Sequence, residues 1–202
     1  MIEAIPAIAP LTRAATKTKM TFEDFLAWCD EDTLAEWVDG EVCMASPASD
    51  GHQDLASFLD AILRAFVEMR DLGVVRPAPL AMRLPEVPSG REPDLLFVAQ
   101  ENRARLKKTF LDGPADMLVE IISPGSIGLD RGDKFVEYER GGVREYWLID
   151  PERQQAEFYH LGADQRYHAL MIGSAGIFRS QVVDGFFLRV EWLWQEPLPK
   201  VV

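Results

Sequence analysis

Two short apolar segments constrain the fold most, because each contains a carboxylate that an apolar β-strand does not tolerate without a partner. Asp94 lies in the run Pro93-Asp94-Leu95-Leu96-Phe97-Val98, and Glu120 lies inside Met117-Leu118-Val119-Glu120-Ile121-Ile122. Both runs are short, continuous and apolar, which is typical of buried strands. An ionised carboxylate buried alone is costly. The pattern therefore predicts two buried carboxylates that a cation, a lysine or a shared proton compensates.

Composition indicates one globular domain. The 202 residues are 48% hydrophobic and 27% charged, which is enough apolar material for a sizeable core. Residues 1–19 are rich in Pro, Ala and Thr and are predicted to form an extended arm, and residues 20–202 to form a single domain. No apolar stretch approaches the roughly 20 residues of a membrane-spanning helix, so no membrane association is expected.

Cysteine usage indicates the compartment. Cys29 and Cys43 are isolated and show no CxxC spacing. This pattern predicts a cytoplasmic protein without a zinc site, and it leaves one disulfide open.

The charge distribution is uneven. The net charge of −12 argues against a general nucleic-acid coat protein, which is normally basic. Near residue 105, however, a single acid, Glu101, stands against four cations, a local net charge of +3, and residues 1–20 carry +2. These segments are either local phosphate contacts or solvated loops. The four cations are Arg103, Arg105, Lys107 and Lys108.

Periodicity predicts a mixed α/β fold, with a mixed β-sheet core flanked by helices. Helical patterns cover residues 21–29, with Thr21 as N-cap, 51–71, with Asp50 as N-cap, and 129–140. Besides the two carboxylate-bearing runs, strand patterns cover residues 34–38, 42–45, 74–84, 144–149, 156–161 and 167–172. Asp39-Gly40 between the first two predicts a hairpin. Residues 100–110 form a basic connection, and 186–194 form an aromatic closing segment.

The carboxylate pair suggests a metal site. Magnesium is usually held by one or two carboxylates together with substrate oxygens. Adjacent strands would bring Asp94 and Glu120 close enough to share such an ion. The structural alternative is a strand-end Asp and a Glu that pairs with a buried cation.

Three further residues have a functional and a structural interpretation. Lys134 either stabilises negative charge on a phosphate beside the carboxylates or pairs in solvent with Asp130, four residues earlier. Glu36 either shares the buried face of Leu34 and Val38 or faces water while Trp37 faces the core. His52, at the start of the long helix, is interpreted as structural or solvent-facing.

An ordered series of motifs resembles the Uma-type restriction endonuclease family of the PD-(D/E)XK superfamily. The series covers about residues 20–190, and its pieces share the order seen in that family. They are Glu36-Trp37-Val38-Asp39-Gly40-Glu41, Ser46-Pro47 with His52, Pro93-Asp94-Leu95, Val119-Glu120-Ile121-Ile122-Ser123-Pro124, Asp130, Lys134, Tyr138, and Gly142-Val143-Arg144-Glu145-Tyr146-Trp147-Leu148-Ile149-Asp150-Pro151.

The resemblance implies a restriction-endonuclease-like fold and a Mg²⁺- or Mn²⁺-dependent endodeoxyribonuclease. It implies that Asp94, Glu120 and the Ile121 carbonyl are metal ligands. The superfamily pattern places a lysine two residues after the glutamate, where this chain has Ile122. The resemblance then makes Lys134 the substitute from the following helix, and Glu36 the fourth catalytic residue.

The implied partners are a nucleic acid, DNA in the first place, and a second copy of the chain. Many nucleases cut both strands with two copies of one site, and twofold dimers are the commonest oligomers. The candidate interface elements are the arm and the aromatic side chains Phe186, Phe187, Trp192 and Trp194.

Two other functions compete with the nuclease. A catalytically weak or inactive nucleic-acid-binding or regulatory module on the same fold is favoured by the acidic charge and by Ile122. A glycosidase-like acid–base pair ranks last, because Lys134 would have no role and no aromatic sugar-binding cleft is evident.

Overall fold

The computed structural model describes residues 19–30, 33–44 and 48–201. The predicted arm lies outside these residues apart from Lys19, whose Nζ contacts Asp39 Oδ2 at 2.6 Å. The Ser46-Pro47 pair also lies outside them. Over the described residues, three α-helices and thirteen strands form one mixed α/β architecture, as the periodicity predicts.

The helices and strands have the following bounds. The helices are α1 (Phe22–Trp28), α2 (Asp50–Met69) and α3 (Phe135–Gly141). The strands are β1 (Ala35–Val38), β2 (Glu41–Met44), β3 (Gly73–Pro77), β4 (Ala81–Leu84), β5 (Ser89–Arg91), β6 (Leu95–Ala99), β7 (Phe110–Asp112), β8 (Met117–Ile121), β9 (Glu145–Asp150), β10 (Gln155–Leu161), β11 (Tyr167–Gly173), β12 (Ile177–Arg179) and β13 (Phe187–Arg189).

A central mixed sheet carries the predicted carboxylate strands. Its order among the described residues is β11-β10-β9-β8-β6-β3. Strand β8 pairs antiparallel with β6, with Leu95 opposite Val119, and parallel with β9. A second sheet has the order β2-β1-β5-β4-β7, and β12 pairs with β13.

The inner strands β6 and β8 of the central sheet are buried on both faces, which explains why they are continuously apolar. Alternate residues of β6 and β8 enter two different cores. Leu95, Phe97 and Val119 pack with helix α2 in one core, and Leu96 and Leu118 pack on the α3 side in the other. Helices α2 and α3 therefore cover opposite faces of strands β6 and β8.

Two local predictions are confirmed at atomic detail. Thr21 caps α1 in a capping box with Asp24, which satisfies two backbone donors at the start of the helix. Asp39 and Gly40 form the tight turn between β1 and β2 with φ values of 47° and 84°. Positive φ at both turn positions is what a two-residue hairpin requires, and Asp-Gly tolerates it.

Two boundaries differ from the predictions. The N-cap of α2 is Ser49, whose Oγ accepts a hydrogen bond from the His52 amide at 3.3 Å, and Asp50 is the first helical residue. Residues 74–84 are two strands in different sheets, β3 and β4, not one strand. Pro77 and Pro79 lie at the break, and neither has an amide to continue a ladder.

The remaining predicted segments are more irregular than their patterns indicate. The helix predicted at 129–140 is a π-helical turn, Leu129–Lys134, followed by α3, and it ends at Gly142 with φ 86°. The basic connection contains a 3₁₀ helix, Gln100–Arg105. The closing segment is β13 followed by the 3₁₀ helix Val190–Trp194. We find no candidate membrane-spanning helix in the described part of the chain.

Candidate active site

Strand register brings the two predicted carboxylates to the same end of the central sheet. Leu95 is paired with Val119, so one further step along this antiparallel register puts Asp94 opposite Glu120. Directly opposed residues have Cβ atoms only about 5 Å apart. Asp94 Oδ2 also accepts a hydrogen bond from the Ile121 amide at 2.6 Å. The three predicted metal-ligand residues thus lie side by side.

Glu120 is buried with two donors on one oxygen. Its Oε1 accepts hydrogen bonds from Tyr138 Oη at 2.6 Å and from Lys134 Nζ at 2.9 Å. Burial raises the pKa of Glu120 to about 8, against the opposing effect of Lys134, and the charges of Asp94, Asp130 and Glu36 add to the rise. The site therefore contains more negative charge than its own groups neutralise.

Lys134 is the cation around which these carboxylates gather. Its Nζ lies 2.9 Å from Glu120, 3.3 Å from Glu36 and 3.3 Å from Asp130. The side chain is only 8% exposed, so the solvated ion pair with Asp130 is not what forms. Burial alone would lower the pKa of Lys134, but the three carboxylates raise it above the usual range, so the ammonium stays charged.

The face alternation of β8 explains how Lys134 replaces a lysine at position 122. Residues 118, 120 and 122 point to one face, where Leu118 and Ile122 belong to the core that α3 covers. Ile122 fills that core. The π-helical turn before α3 covers the same face. Its Lys134 ammonium contacts Glu120, so the lysine comes from this turn and not from strand β8 itself.

Glu36 is buried on β1 and faces the same cluster. Its Oε2 accepts a hydrogen bond from Arg91 at 2.8 Å, and its Oε1 lies 3.3 Å from Lys134. Burial raises the pKa of Glu36, but Lys134 and Arg91 outweigh it and hold the pKa below its usual value. Trp37, which points to the other face of β1, is half-buried against Phe22, so both faces of this strand are at least partly covered.

Sequence reasoning missed the buried ion pair behind Glu36. Arg91 makes two hydrogen bonds to Glu137, at 2.8 and 2.7 Å, besides its bond to Glu36. Ser89 Oγ donates to the same Glu137 at 2.7 Å. Strand β5 has only three residues and no apolar period, so no pattern indicated that it is buried.

His52 and Glu92 also line the site. His52 is only 13% exposed and is not solvent-facing, and Glu92 was assigned no role from the sequence. His52 Nε2 lies 3.1 Å from the Ile121 carbonyl oxygen and 3.2 Å from Asp94 Oδ2. The hydrogen bond with Asp94 raises the pKa of His52 although burial opposes the rise. Burial, together with the Glu36 charge, raises the pKa of Glu92 to about 7. The only visible signal for Glu92 was its position two residues before Asp94.

These side chains line a cleft of about 950 Å³. The loop 123–126 and the C-terminal segment 193–198 form further walls. Most charged side chains that line it are acidic: Glu36, Asp50, Asp54, Glu92, Asp94, Glu120, Asp130, Glu152 and Glu196, against Lys134 and His52. A polyanion can approach such a cleft only if cations offset this charge.

The donor set fits a hard divalent cation. Asp94 Oδ2 and the Ile121 carbonyl oxygen both lie about 3 Å from His52 Nε2, so the two oxygens face the same point. In residues 19–30, 33–44 and 48–201, no three His, Cys, Asp or Glu side chains are arranged to hold a metal ion. The protein would therefore contribute two carboxylates and a carbonyl, which suits Mg²⁺ because this ion keeps several waters.

Comparison with known proteins identifies the family. The family model Uma2, described as "Putative restriction endonuclease", matches residues 22–191. The chain belongs to the Uma2 family. This confirms the resemblance read from the ordered motifs. No curated protein sequence matches the chain.

A solved structure confirms the restriction-endonuclease-like fold class. It is the crystal structure of "a putative nuclease belonging to DUF820" from Anabaena variabilis ATCC 29413. The TM-score is 0.72 at 16% sequence identity, and the match covers 87% of this chain and 97% of that one. At this identity the match establishes a shared fold, and the Uma2 model independently indicates a nuclease.

Proposed function

We propose that this Uma2 protein is a Mg²⁺- or Mn²⁺-dependent endonuclease that hydrolyses phosphodiester bonds in DNA. The observation that carries the proposal is the convergence of Asp94, Glu120 and the Ile121 carbonyl beside the buried ammonium of Lys134. Asp94, Glu120 and Ile121 would hold the ion. When bound, such an ion polarises the phosphoryl group and lowers the pKa of water. DNA is proposed because the family is described as restriction endonucleases.

The protein's own groups then have distinct roles. Lys134 is held charged by three carboxylates, so it acts as an electrostatic group that orients the attacking water and stabilises charge developing on the phosphate. It is a poor base for the same reason. Glu36 fixes the ammonium from the second sheet, and Arg91 fixes Glu36. Tyr138 holds Glu120 in place through its hydroxyl.

The basic segment is proposed as an auxiliary phosphate contact, although it lies at the other end of β6. Asp94 immediately precedes β6, whereas the 3₁₀ helix with Arg103 and Arg105 immediately follows it. Arg105 also donates to the Pro114 carbonyl at 3.0 Å, and Lys107 to the Ala104 carbonyl at 3.0 Å. Only a long nucleic acid could contact this segment and the cleft together.

We also propose a homodimer and a cytoplasmic location. Three of the four aromatic candidates pack at least partly into the chain's own core: Phe186 fully, and Trp192 and Trp194 in part. Phe187 is 51% exposed and lies near the exposed Ile177 on the β12–β13 hairpin, so this hairpin is the remaining aromatic candidate beside the arm. The cytoplasmic proposal is supported by Cys29 and Cys43, which form no disulfide. Light scattering of a concentrated sample tests the dimer, and a monomer would contradict it.

The test is cleavage of supercoiled plasmid DNA with Mg²⁺ or Mn²⁺, with EDTA as the blank and single-stranded RNA as a second substrate. We expect nicking and linearisation that disappear in Asp94→Ala, by at least about 10²–10³-fold, the loss typical of removing one electrostatic contact to a transition state. Calorimetry should show metal binding to the wild type and none to Asp94→Ala.

The second candidate is a nucleic-acid-binding or regulatory module with little or no catalysis. The acidic lining of the cleft and the apolar Ile122 favour it. Metal-dependent DNA binding without cleavage would support this module. Cleavage of RNA but not DNA would correct the substrate. Absence of both metal binding and cleavage would overturn the proposed nuclease.

A further inference from the structure

The outer side of the β12–β13 hairpin carries two arginines and two apolar side chains. Ile177 is paired with Arg189, and Arg179 is paired with Phe187. Residues that lie directly opposite each other in an antiparallel pair point to the same side, so these four side chains form one surface, which we call the hairpin face. Ile177 and Phe187 are each 51% exposed, and both arginines are exposed as well.

The hairpin is fixed both to the protein core and to the wall of the cleft. Phe178 and Leu188 point away from the hairpin face and are buried in the core that α2 covers. The 3₁₀ helix Val190–Trp194 directly follows β13, and Trp194 lines the cleft and donates to the Ser174 carbonyl at 2.8 Å. At about 2 Å of rise per residue, this helix spans only about 10 Å. A strand of nucleic acid that leaves the cleft past Trp194 can therefore reach the hairpin face.

The two arginines have no carboxylate partner. Among the residues that the structure describes, neither Arg179 nor Arg189 forms an ion pair. Glu191, two residues after Arg189, accepts a hydrogen bond from the Gly176 amide at 3.1 Å and attracts Arg189 only at longer range. The Arg179 guanidinium lies 5.6 Å from the centre of the Phe187 ring. The hairpin face thus presents two unpaired positive charges beside an aromatic ring, on a chain whose net charge is −12.

This combination of groups suits a single-stranded nucleic acid. Unpaired bases stack on aromatic rings and on guanidinium planes, and arginine binds phosphate oxygens. In a duplex each base is already stacked between its neighbours, so only an unpaired strand offers a free base to Phe187. A second copy of the chain fits less well, because a twofold contact through the hairpin face would bring the arginines of both copies together.

We propose that the hairpin face binds an unpaired strand of nucleic acid next to the cleft, with one base stacked on Phe187 and phosphates on Arg179 and Arg189. This inference rests on the proposed function for the class of the substrate. It adds a phosphate contact close to the cleft, which the basic segment at the other end of β6 does not provide. Substrates with an unpaired region beside the scissile bond should therefore bind more tightly than fully paired ones.

The experiment is fluorescence anisotropy of the full chain with a labelled oligothymidylate, which cannot pair with itself, and with a duplex of the same length. Binding is measured in EDTA, which prevents metal-dependent cleavage, at several salt concentrations. Phe187→Ala should lower the affinity for the single strand about 5- to 150-fold, the equivalent of about 1–3 kcal/mol for one stacked base, and the affinity for the duplex less. Arg179→Gln and Arg189→Gln should each reduce the slope of log affinity against log salt by about 0.7.

Three further variants serve as controls. Phe187→Trp should retain the affinity for the single strand, because it keeps a ring on which a base can stack. Trp28→Ala removes another exposed aromatic ring, on α1, and should not change the affinity. Arg64→Gln should leave the salt slope unchanged, because Arg64 is already bound to Asp60 at 2.7 Å. If Trp28→Ala weakens binding as much as Phe187→Ala does, the inference is wrong.

The other outcomes separate this inference from the proposed function. Phe187-dependent binding of oligothymidylate without cleavage in Mg²⁺ or Mn²⁺ overturns the nuclease and leaves the binding surface. Cleavage together with oligothymidylate binding that Phe187→Ala does not weaken overturns the inference and leaves the nuclease. Equal losses of single-strand and duplex affinity in Phe187→Ala also overturn it. A wild-type dimer that becomes a monomer in Phe187→Ala, with unchanged affinity for the single strand, would assign the hairpin face to a second copy instead.

Discussion

The two ends of strands β6 and β8 handle buried carboxylates in opposite ways. At the end away from the cleft, Asp116 accepts hydrogen bonds from the Ala99 amide at 2.6 Å, from Asn102 at 2.8 Å and from Arg144 at 2.7 Å. Glu145, at the same end, accepts bonds from Trp147, Ser180 and the Gln181 amide. Each carboxylate there has three donors.

At the cleft end, carboxylates share donors instead. Glu120, Glu36 and Asp130 contact the single ammonium of Lys134. Burial raises the pKa of both Glu145 and Glu120, but at Glu145 hydrogen bonds from Ser180, Trp147 and Gln181 oppose the rise, whereas at Glu120 further carboxylates add to it. The hydrogen bonds at the far end stabilise the fold, whereas the cleft end has fewer positive charges than carboxylates.

Lys134→Met should produce the largest effect, because it removes the cation that the cleft carboxylates share. We expect metal-free protein to lose about 3–5 kcal/mol of unfolding free energy, as when one partner of a buried ion pair is removed. Cleavage should be lost while metal binding persists. Denaturant unfolding in EDTA and calorimetry measure the two effects.

Lys107→Met is the control for the loss of stability, because Lys107 is exposed at the far end and should tolerate the substitution. Added Mg²⁺ or Mn²⁺ should restore part of the lost stability of Lys134→Met and none of its cleavage. Unchanged cleavage by Lys134→Met would show that the ammonium has no catalytic role.

Asp116→Ala removes a hydrogen-bond acceptor at the far end of the strands and should lower stability without changing metal binding or cleavage. The Ala99 amide and Asn102 lose their acceptor, and an unsatisfied buried donor costs about 1–3 kcal/mol. Thermal or urea unfolding measures the loss, and Asp112→Ala, a half-exposed acid nearby, should change stability by less than about 0.5 kcal/mol. A loss of metal binding in Asp116→Ala would show that the two ends are coupled.

Glu120→Gln should flatten the pH dependence of stability in metal-free protein. The folded-state pKa of Glu120, about 8, exceeds the ordinary value, so the folded state holds a proton that the unfolded state releases. The wild type should therefore lose stability as pH rises between about 4.3 and 8, by up to about 1.4 kcal/mol per pH unit. Parallel pH curves for the two proteins would contradict the raised pKa.

Neutralising Arg103, Arg105, Lys107 and Lys108 together should have the smallest effect. DNA affinity should fall modestly and metal binding should not change, because these residues lie beyond the far end of β6. Four cations can reduce the slope of log affinity against log salt by at most about 4 units. Binding as tight as that of the wild type would place the phosphate contacts elsewhere.

Much of this fold was predictable because its signals are local. The Asp39-Gly40 turn, the Thr21 cap and the apolar period of α2 depend on residues a few positions apart. The two buried strands were recognisable from their apolar runs, and the ordered motifs implied that Glu36, Asp94, Glu120 and Lys134 belong to one site. The structure brings these four side chains to one cleft, and their catalytic roles stay predictions.

Only the tertiary structure decided which partners neutralise the charged groups of that site. Arg91 meets Glu36 and Glu137 across 55 and 46 residues of sequence, and His52 meets Ile121 across 69. No local pattern encodes such contacts, since they depend on which strand lies beside which. The sequence by itself determined which residues are apolar, charged or able to form turns. The packing of α2 and α3 on opposite faces of β6 and β8 decided which charged groups share a donor. Burial has this effect because it removes the water that would otherwise solvate each charged group separately.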